Sequence, residues 1–184
     1  PIFVLSDDAF YKSYLVTIAR TAIGTLTGLV FTAAVAYAMS RNNLKGKRFF
    51  YWANIVTMFF GGGLVPYFLI IQATGLYDTF WVYIIPSLYS VYNMIVISSF
   101  FRGISPEIHE AAEIDGMSYF GIFFKVMVPL SVPALLAQAL LGFIGGYNDY
   151  LGPLIYLQDP EMYTLQIAMN QLKSYFAGRN VPAM

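Results

Sequence analysis

The chain has no cysteine and only one histidine in 184 residues. That excludes a disulfide framework, a thiolate metal centre and a cysteine nucleophile. The lone His109 has no ligand-spaced neighbours and no partner set that could activate a serine, so it reads as a surface polar residue and no metal site is expected. Charge is scarce as well, at 11% of residues against about 25% in an ordinary soluble domain. Ten basic and ten acidic residues cancel, which gives no electrostatic basis for binding nucleic acid. No G-x-x-x-x-G-K-[ST] phosphate loop occurs, so ATP hydrolysis by this chain is not expected. The chain opens at Pro1 without a basic segment leading into a short apolar core, so no signal peptide is recognisable and the sequence reads as a fragment.

What is abundant is apolar: 58% of residues are hydrophobic and 18% aromatic. Four stretches, 21–40, 49–77, 79–101 and 126–148, contain no Asp, Glu, Lys, Arg or His. Each reaches the ~20 residues that a helix needs to cross roughly 30 Å of hydrocarbon. They lack the recurrent polar face of a soluble bundle. The expected fold is therefore all-α, a polytopic transmembrane helical bundle with four visible spans in one domain, 1–184.

Orientation follows from the basic residues. Arg41, Lys45, Lys47 and Arg48 crowd the first connection, while the turn at 75–79 has none, so the first connection is expected in the cytoplasm. Alternation puts Asp78 outside, 102–125 inside, and Asp159 and Glu161 outside with Asp7 and Asp8. Lys12 and Arg20 sit against the rule, close to Asp7 and Asp8.

Gly24 and Gly28, and again Gly142 and Gly146, place two glycines on one helix face, either as a close-packed seam or as the incidental glycine common in membrane helices. Gly61-Gly62-Gly63 with Pro66 should interrupt the second stretch. Broken backbone at membrane depth is tolerated where protein or a water-filled cavity covers it, so Gly62 and Pro66 mark either a translocation route or a plain kink.

The segment 102–125 is a charged island, holding six of the twenty charged side chains: Arg102, Glu107, Glu110, Glu113, Asp115 and Lys125. It reads as two short helices joined at a glycine. Ser105 can cap the first, Pro106 suits its first position, and Glu107 and Glu110 lie near the positive end of its dipole. Gly116 can close it in a left-handed conformation, and Ser118 can cap the next. Ile108, Ala111, Ala112 and Asp115 share a narrow, mostly apolar face flanked by Glu107, Glu110 and Glu113. Such a helix fits a groove on a partner. A helix lying on the membrane surface would be rich in Lys and Arg instead.

Glu110-Ala111-Ala112, then Gly116, then Val126 and Val128-Pro129 resembles the loop motif of the membrane-spanning subunits of binding-protein-dependent ABC importers, with Val in place of the commoner Ile and Leu. The run Gly146-Tyr147-Asn148-Asp149-Tyr150-Leu151-Gly152-Pro153-Leu154-Ile155-Tyr156-Leu157 is similar to a segment of the carbohydrate-transporting branch, with Tyr147 where Trp is usual. The likeness continues through Asp159-Pro160-Glu161-Met162-Tyr163-Thr164-Leu165 and covers about 14–172.

The resemblance implies a type I importer permease in a bacterial or archaeal cell membrane, with six spans in the full chain, four of them visible. It implies a non-enzymatic subunit that binds no cofactor, with ATP and Mg on cytoplasmic ATPase subunits. It also implies a second homologous permease subunit, an extracytoplasmic solute-binding protein, and a di- or oligosaccharide as solute. Glu107, Glu110, Ala111, Ala112, Asp115 and Gly116 would form the coupling contact with the ATPase. Tyr147, Asn148 and Asp149 carry an aromatic face, an amide and a carboxylate suited to a pyranose, just before Gly152-Pro153, which should break the helix. They offer either a solute contact or a structural role in which Asp149 caps a helix or pairs with another subunit. An importer of another solute and an ion-coupled secondary transporter are the rivals; the latter is expected to bury ionisable groups in its spans.

Overall fold

The computed structural model describes residues 7–41 and 43–179, and among these there is helix and turn but no strand. Ten α-helices follow in order: α1 Asp7–Ser40, α2 Lys47–Phe59, α3 Leu64–Ala73, α4 Val91–Gly103, α5 Pro106–Ile114, α6 Tyr119–Ile122, α7 Val128–Leu130, α8 Val132–Asn148, α9 Leu151–Tyr156 and α10 Leu165–Arg179. Two 3-10 turns, Phe80–Tyr83 and Pro160–Met162, and a π-helical turn, Phe123–Met127, complete them.

Among the described residues, α1 alone is by itself long and apolar enough to cross a membrane, over Phe10–Ser40. Two bent pairs, α2 with α3 and 119–130 with α8, reach the same standard when joined. The four expected spans are thus revised to one, or at most three. The stretch 79–101 fails because its first half is a 3-10 turn and irregular chain: Pro86 cannot continue a helix. The helix restarts at α4, where the Ser90 side chain accepts the Asn93 N–H. The first span also begins earlier than composition suggested and takes in Lys12 and Arg20.

Glycine and proline set the remaining breaks. Gly63, at φ 86°, ends the irregular run after α2, and Pro66 falls in the first turn of α3, where a missing N–H costs no helical bond. Pro129 cannot donate to the Lys125 carbonyl and its ring would strike it. The preceding turn widens instead, with the Val128 N–H donating to the Phe123 carbonyl five residues back. At Ser131 the axis turns by 82° into α8.

The chain forms two compact units. One comprises the described parts of Pro1–Thr25, Gly62–Pro86 and Gly142–Met184. There Gly142 and Gly146 of α8 let Thr25 and Thr21 of α1 approach, at 3.7 and 3.5 Å from where a Cβ would stand. Tyr67 and Phe68 of α3 pack on Tyr156 of α9. The other comprises Leu26–Gly61 and Ser87–Leu141. Its core is Ala33, Ala36, Tyr37, Met94, Ile97, Phe101, Ile122, Phe123, Met127 and neighbours. Gly28 of α1 meets the Ser87 carbonyl so closely that a Cβ would lie 2.9 Å from the oxygen. Gly28, Gly142 and Gly146 thus contribute to seams within this chain.

Candidate functional site

In the second unit the charged island folds as α5, a glycine turn and α6. Pro106 occupies the first turn of α5 with Glu107 beside it, and Ser105 precedes the helix without a side-chain cap. Gly116, at φ 76°, closes it: its N–H donates to the Glu113 carbonyl at 3.0 Å and the Met117 N–H to the Ala112 carbonyl at 3.1 Å. That is a Schellman closure, and it satisfies carbonyls that would otherwise be orphaned. Ser118 then caps α6 by accepting the Gly121 N–H at 3.2 Å.

His109 is not a surface residue. It is 4% exposed, stacked on Tyr37, with Nε2 2.7 Å from the Tyr37 hydroxyl and Nδ1 3.5 Å from Glu113 Oε1. The Tyr37 hydroxyl and Nε2 share a hydrogen bond, and Nδ1 faces the Glu113 carboxylate. Burial, then the nearby Arg41 guanidinium, hold the imidazole below its ordinary pKa, with Glu113 opposing. Arg41 Nη2 reaches Glu113 Oε1 at 3.2 Å. Residues 37 and 41 of the α1 end therefore hold residues 109 and 113 of α5, one helical turn apart on each element.

This anchoring divides the expected docking face. Ala112 turns inward into the core with His109, so it does not line an outer surface. Glu107, Ile108, Glu110, Ala111, Asp115 and Gly116 are exposed, and Ile114 is 85% exposed. Tyr119 and Phe120 of α6 extend the apolar part of this surface. A helix fixed on one side and bare on the other, apolar in the middle with acidic groups beside it, can transmit force to whatever covers it.

The solute-path residues lie in the first unit. Gly62 and Pro66 are exposed at the start of α3. Asn148 ends α8, its amide donating to the Ile144 carbonyl at 2.9 Å, and Tyr147 is half-buried. The helix break falls at Asp149 and Tyr150, earlier than expected, and Gly152 and Pro153 belong to α9. The two breaks open into helices that touch, through Tyr67, Phe68 and Tyr156.

Asp149 is committed within the chain. Its Oδ1 accepts the Gly152 N–H at 3.2 Å, and its Oδ2 accepts from Arg20 Nη2 at 2.9 Å. Arg20 is 7% exposed, and its guanidinium lies 4.2 Å from the centre of the Tyr83 ring. Sequence reasoning missed this pair. The signal was there in two lone charges, each flanking an uncharged stretch on the same expected side of the membrane. Lys12 pairs similarly with Glu161 at 2.8 Å, and Asp78 accepts the backbone N–H groups of Gln158 and Asp159 at 2.8 and 3.0 Å.

The family model described as "binding-protein-dependent transport system inner membrane component" matches residues 28–178, and the chain belongs to that family of transport permeases. It is 35% identical over 170 residues to the polygalacturonan/rhamnogalacturonan transport system permease protein YtcP of Bacillus subtilis, covering 92% of this chain and 59% of the relative. It is 36% identical over 152 residues to the trehalose transport system permease protein SugB of Mycobacterium tuberculosis, covering 80% and 56%. A crystal structure of a bacterial ABC transporter involved in the import of the acidic polysaccharide alginate contains a chain matching with a TM-score of 0.88 and 34% identity, over 96% of this chain and 65% of that one. The chain thus spans less than two thirds of the length of these proteins.

Proposed function

We propose that the chain is the permease subunit of an ATP-driven importer, forming part of the path for a di- or oligosaccharide delivered by an extracytoplasmic binding protein. The observation that carries this reading is the anchored, half-bare helix α5. Energy from a cytoplasmic ATPase must reach the bilayer through a contact stiff enough to pass on a displacement. Support for that role comes from the Tyr37–His109 and Arg41–Glu113 contacts on one side and from exposed Glu107, Glu110, Ile108 and Ile114 on the other. In this reading ATP and Mg belong to the ATPase subunits, the chain itself is not an enzyme, and a second, homologous permease subunit completes the path. The carbohydrate names of the relatives support a sugar as solute, and the tryptophan-like position of Tyr147 beside Asn148 supports a wall on which a pyranose can stack.

Glu110→Lys reverses an exposed charge on the docking flank, and Gly116→Trp puts a bulky side chain where φ is 76°. Both are expected to remove solute-stimulated ATP hydrolysis in reconstituted complex while the subunit still assembles. Undiminished stimulation in both variants would sink the coupling role.

A further inference from the structure

The second unit contains six cations, and the structure uses only part of them. Arg41 is paired with Glu113, and Lys47 donates to the Arg41 and Ser40 carbonyls at 2.9 and 3.5 Å, capping the end of α1. Lys45, Arg48 and Arg102 are exposed, and none of the three has a carboxylate within ion-pair distance among the described residues. Arg102 lies in the last turn of α4, which packs against α2. Like charges gathered without a counter-ion are held at a cost that an anion would remove.

Helix α2 begins at this cluster. Its N-terminal residue of attachment, Gly46, is left-handed and supplies no side-chain acceptor, and no acidic residue occupies the first turn, so the positive end of the helix dipole adds to the cations. Directly after them come four aromatics in a row, Phe49, Phe50, Tyr51 and Trp52, of which Phe49 is 73% and Trp52 56% exposed. No residue of α2 is buried. At 1.5 Å per residue its 13 residues extend about 20 Å, close to half of the ~40–45 Å that a bilayer spans with its headgroup regions. The helix therefore has the length of one leaflet, and cations at phosphate level would set its aromatics where headgroups meet chains.

We infer that Lys45, Arg48 and Arg102, with the start of α2, bind the headgroup of an anionic phospholipid whose chains lie along α2. The occupant must combine an anion with an apolar tail as long as one leaflet. A soluble phosphate fits only the cations, and an acidic protein loop gives no account of the bare aromatics beside them. The inference rests on the membrane embedding of the family and is independent of the solute or of the coupling role.

Trp52 is the reporter. The assembled transporter would be reconstituted in phosphatidylcholine vesicles containing a minor fraction of brominated phosphatidylglycerol, or of brominated phosphatidylcholine. The difference in fluorescence from the Trp52→Phe variant isolates Trp52. The expected result is quenching by the brominated anionic lipid well above that by the same fraction of the neutral one. That selectivity should fall by roughly fivefold for each cation removed in Arg48→Gln and Arg102→Gln, and should weaken at high salt. Both positions are exposed, so the variants retain the fold. Equal quenching by both lipids, selectivity unchanged in the double variant, or no quenching by either because a protein covers α2, overturns the proposal.

Discussion

Arg20 Nη2 donates to Asp149 Oδ2 across 2.9 Å, joining α1 to the break between α8 and α9. Removing one partner leaves the other without its counter-charge, which costs about 3–5 kcal/mol for a fully buried pair and less here, where the Asp149 side chain is 38% exposed. Asp149→Asn strands the buried Arg20 charge and is therefore expected to lower the thermal midpoint of the detergent-solubilised complex sharply, and Arg20→Ala to lower it less, since the carboxylate left behind is 38% exposed and still accepts the Gly152 N–H. Unchanged midpoints in both would release Asp149 for a solute role.

Asn148 is the better test of the solute path. It is exposed and bonded only locally, to the Ile144 carbonyl of its own helix. Asn148→Ala should raise the solute concentration for half-maximal uptake several-fold, as expected for one lost hydrogen bond of about 1 kcal/mol, with complex yield unaltered. Uptake that stays the same would leave the sugar contacts to the Gly61–Gly63 break or to a second subunit.

The buried imidazole of His109 makes the attachment of α5 sensitive to acid. Its folded pKa lies below the ordinary 6.5, first through burial and then through Arg41. A depressed pKa means that the unfolded state binds the proton more readily, so the contribution is complete above about pH 6.5 and is lost as pH falls further. Protection of the α5 amides, taken relative to the intrinsic exchange rate at each pH, should fall between about pH 7.5 and pH 5, and His109→Gln should flatten that response. Equal protection at both values in the parent protein would contradict this account.

Two glycines of similar helical setting should respond differently to alanine. At Gly28 the new methyl would stand 2.9 Å from the Ser87 carbonyl oxygen, whereas at Gly146 its nearest neighbour is the Thr21 methyl at 3.5 Å. Gly28→Ala is expected to cost about 1–3 kcal/mol as overpacking against backbone. Gly146→Ala makes an ordinary contact and gains helix propensity. Parallel thermal melts decide it, and equal losses would mean that the Ser87 segment yields.

The absence of native cysteine allows a direct test of sidedness. Single cysteines at Asn43 and Gln158 should label from opposite faces of the membrane. If an impermeant reagent added outside intact cells reaches both, the orientation drawn from the basic residues fails.

Local chemistry made much of this fold legible in the sequence. Pro106, Gly116 and Ser118 determine where α5 and α6 begin and end, and Gly61-Gly62-Gly63 interrupts the second stretch, because each acts on its own backbone. What composition could not show was tertiary. The stretch 79–101 is as apolar as the others, but apolarity does not report the 3-10 turn at Phe80–Tyr83 or the restart at Ser90. Ala112 and His109 face inward because the end of α1 arrives beside them, a contact across 72 residues for Tyr37 and His109. Arg20 and Asp149 are 129 residues apart, and only the shared side of the membrane expected for each pointed to their pairing.

The wide turn at Phe123–Met127 gives the motif's spacing a geometric meaning. Successive residues of an α-helix advance by roughly 100° around the axis, so one residue gained or lost swings everything beyond it through more than a quarter of a circle. A five-residue turn takes up such a residue without breaking the rod, and it does so where Pro129 forbids the tighter closure. The interval between Gly116 and Pro129 is thus less a spacer than an azimuth: it sets the compass bearing of the acidic helix relative to the rod that leads into α8.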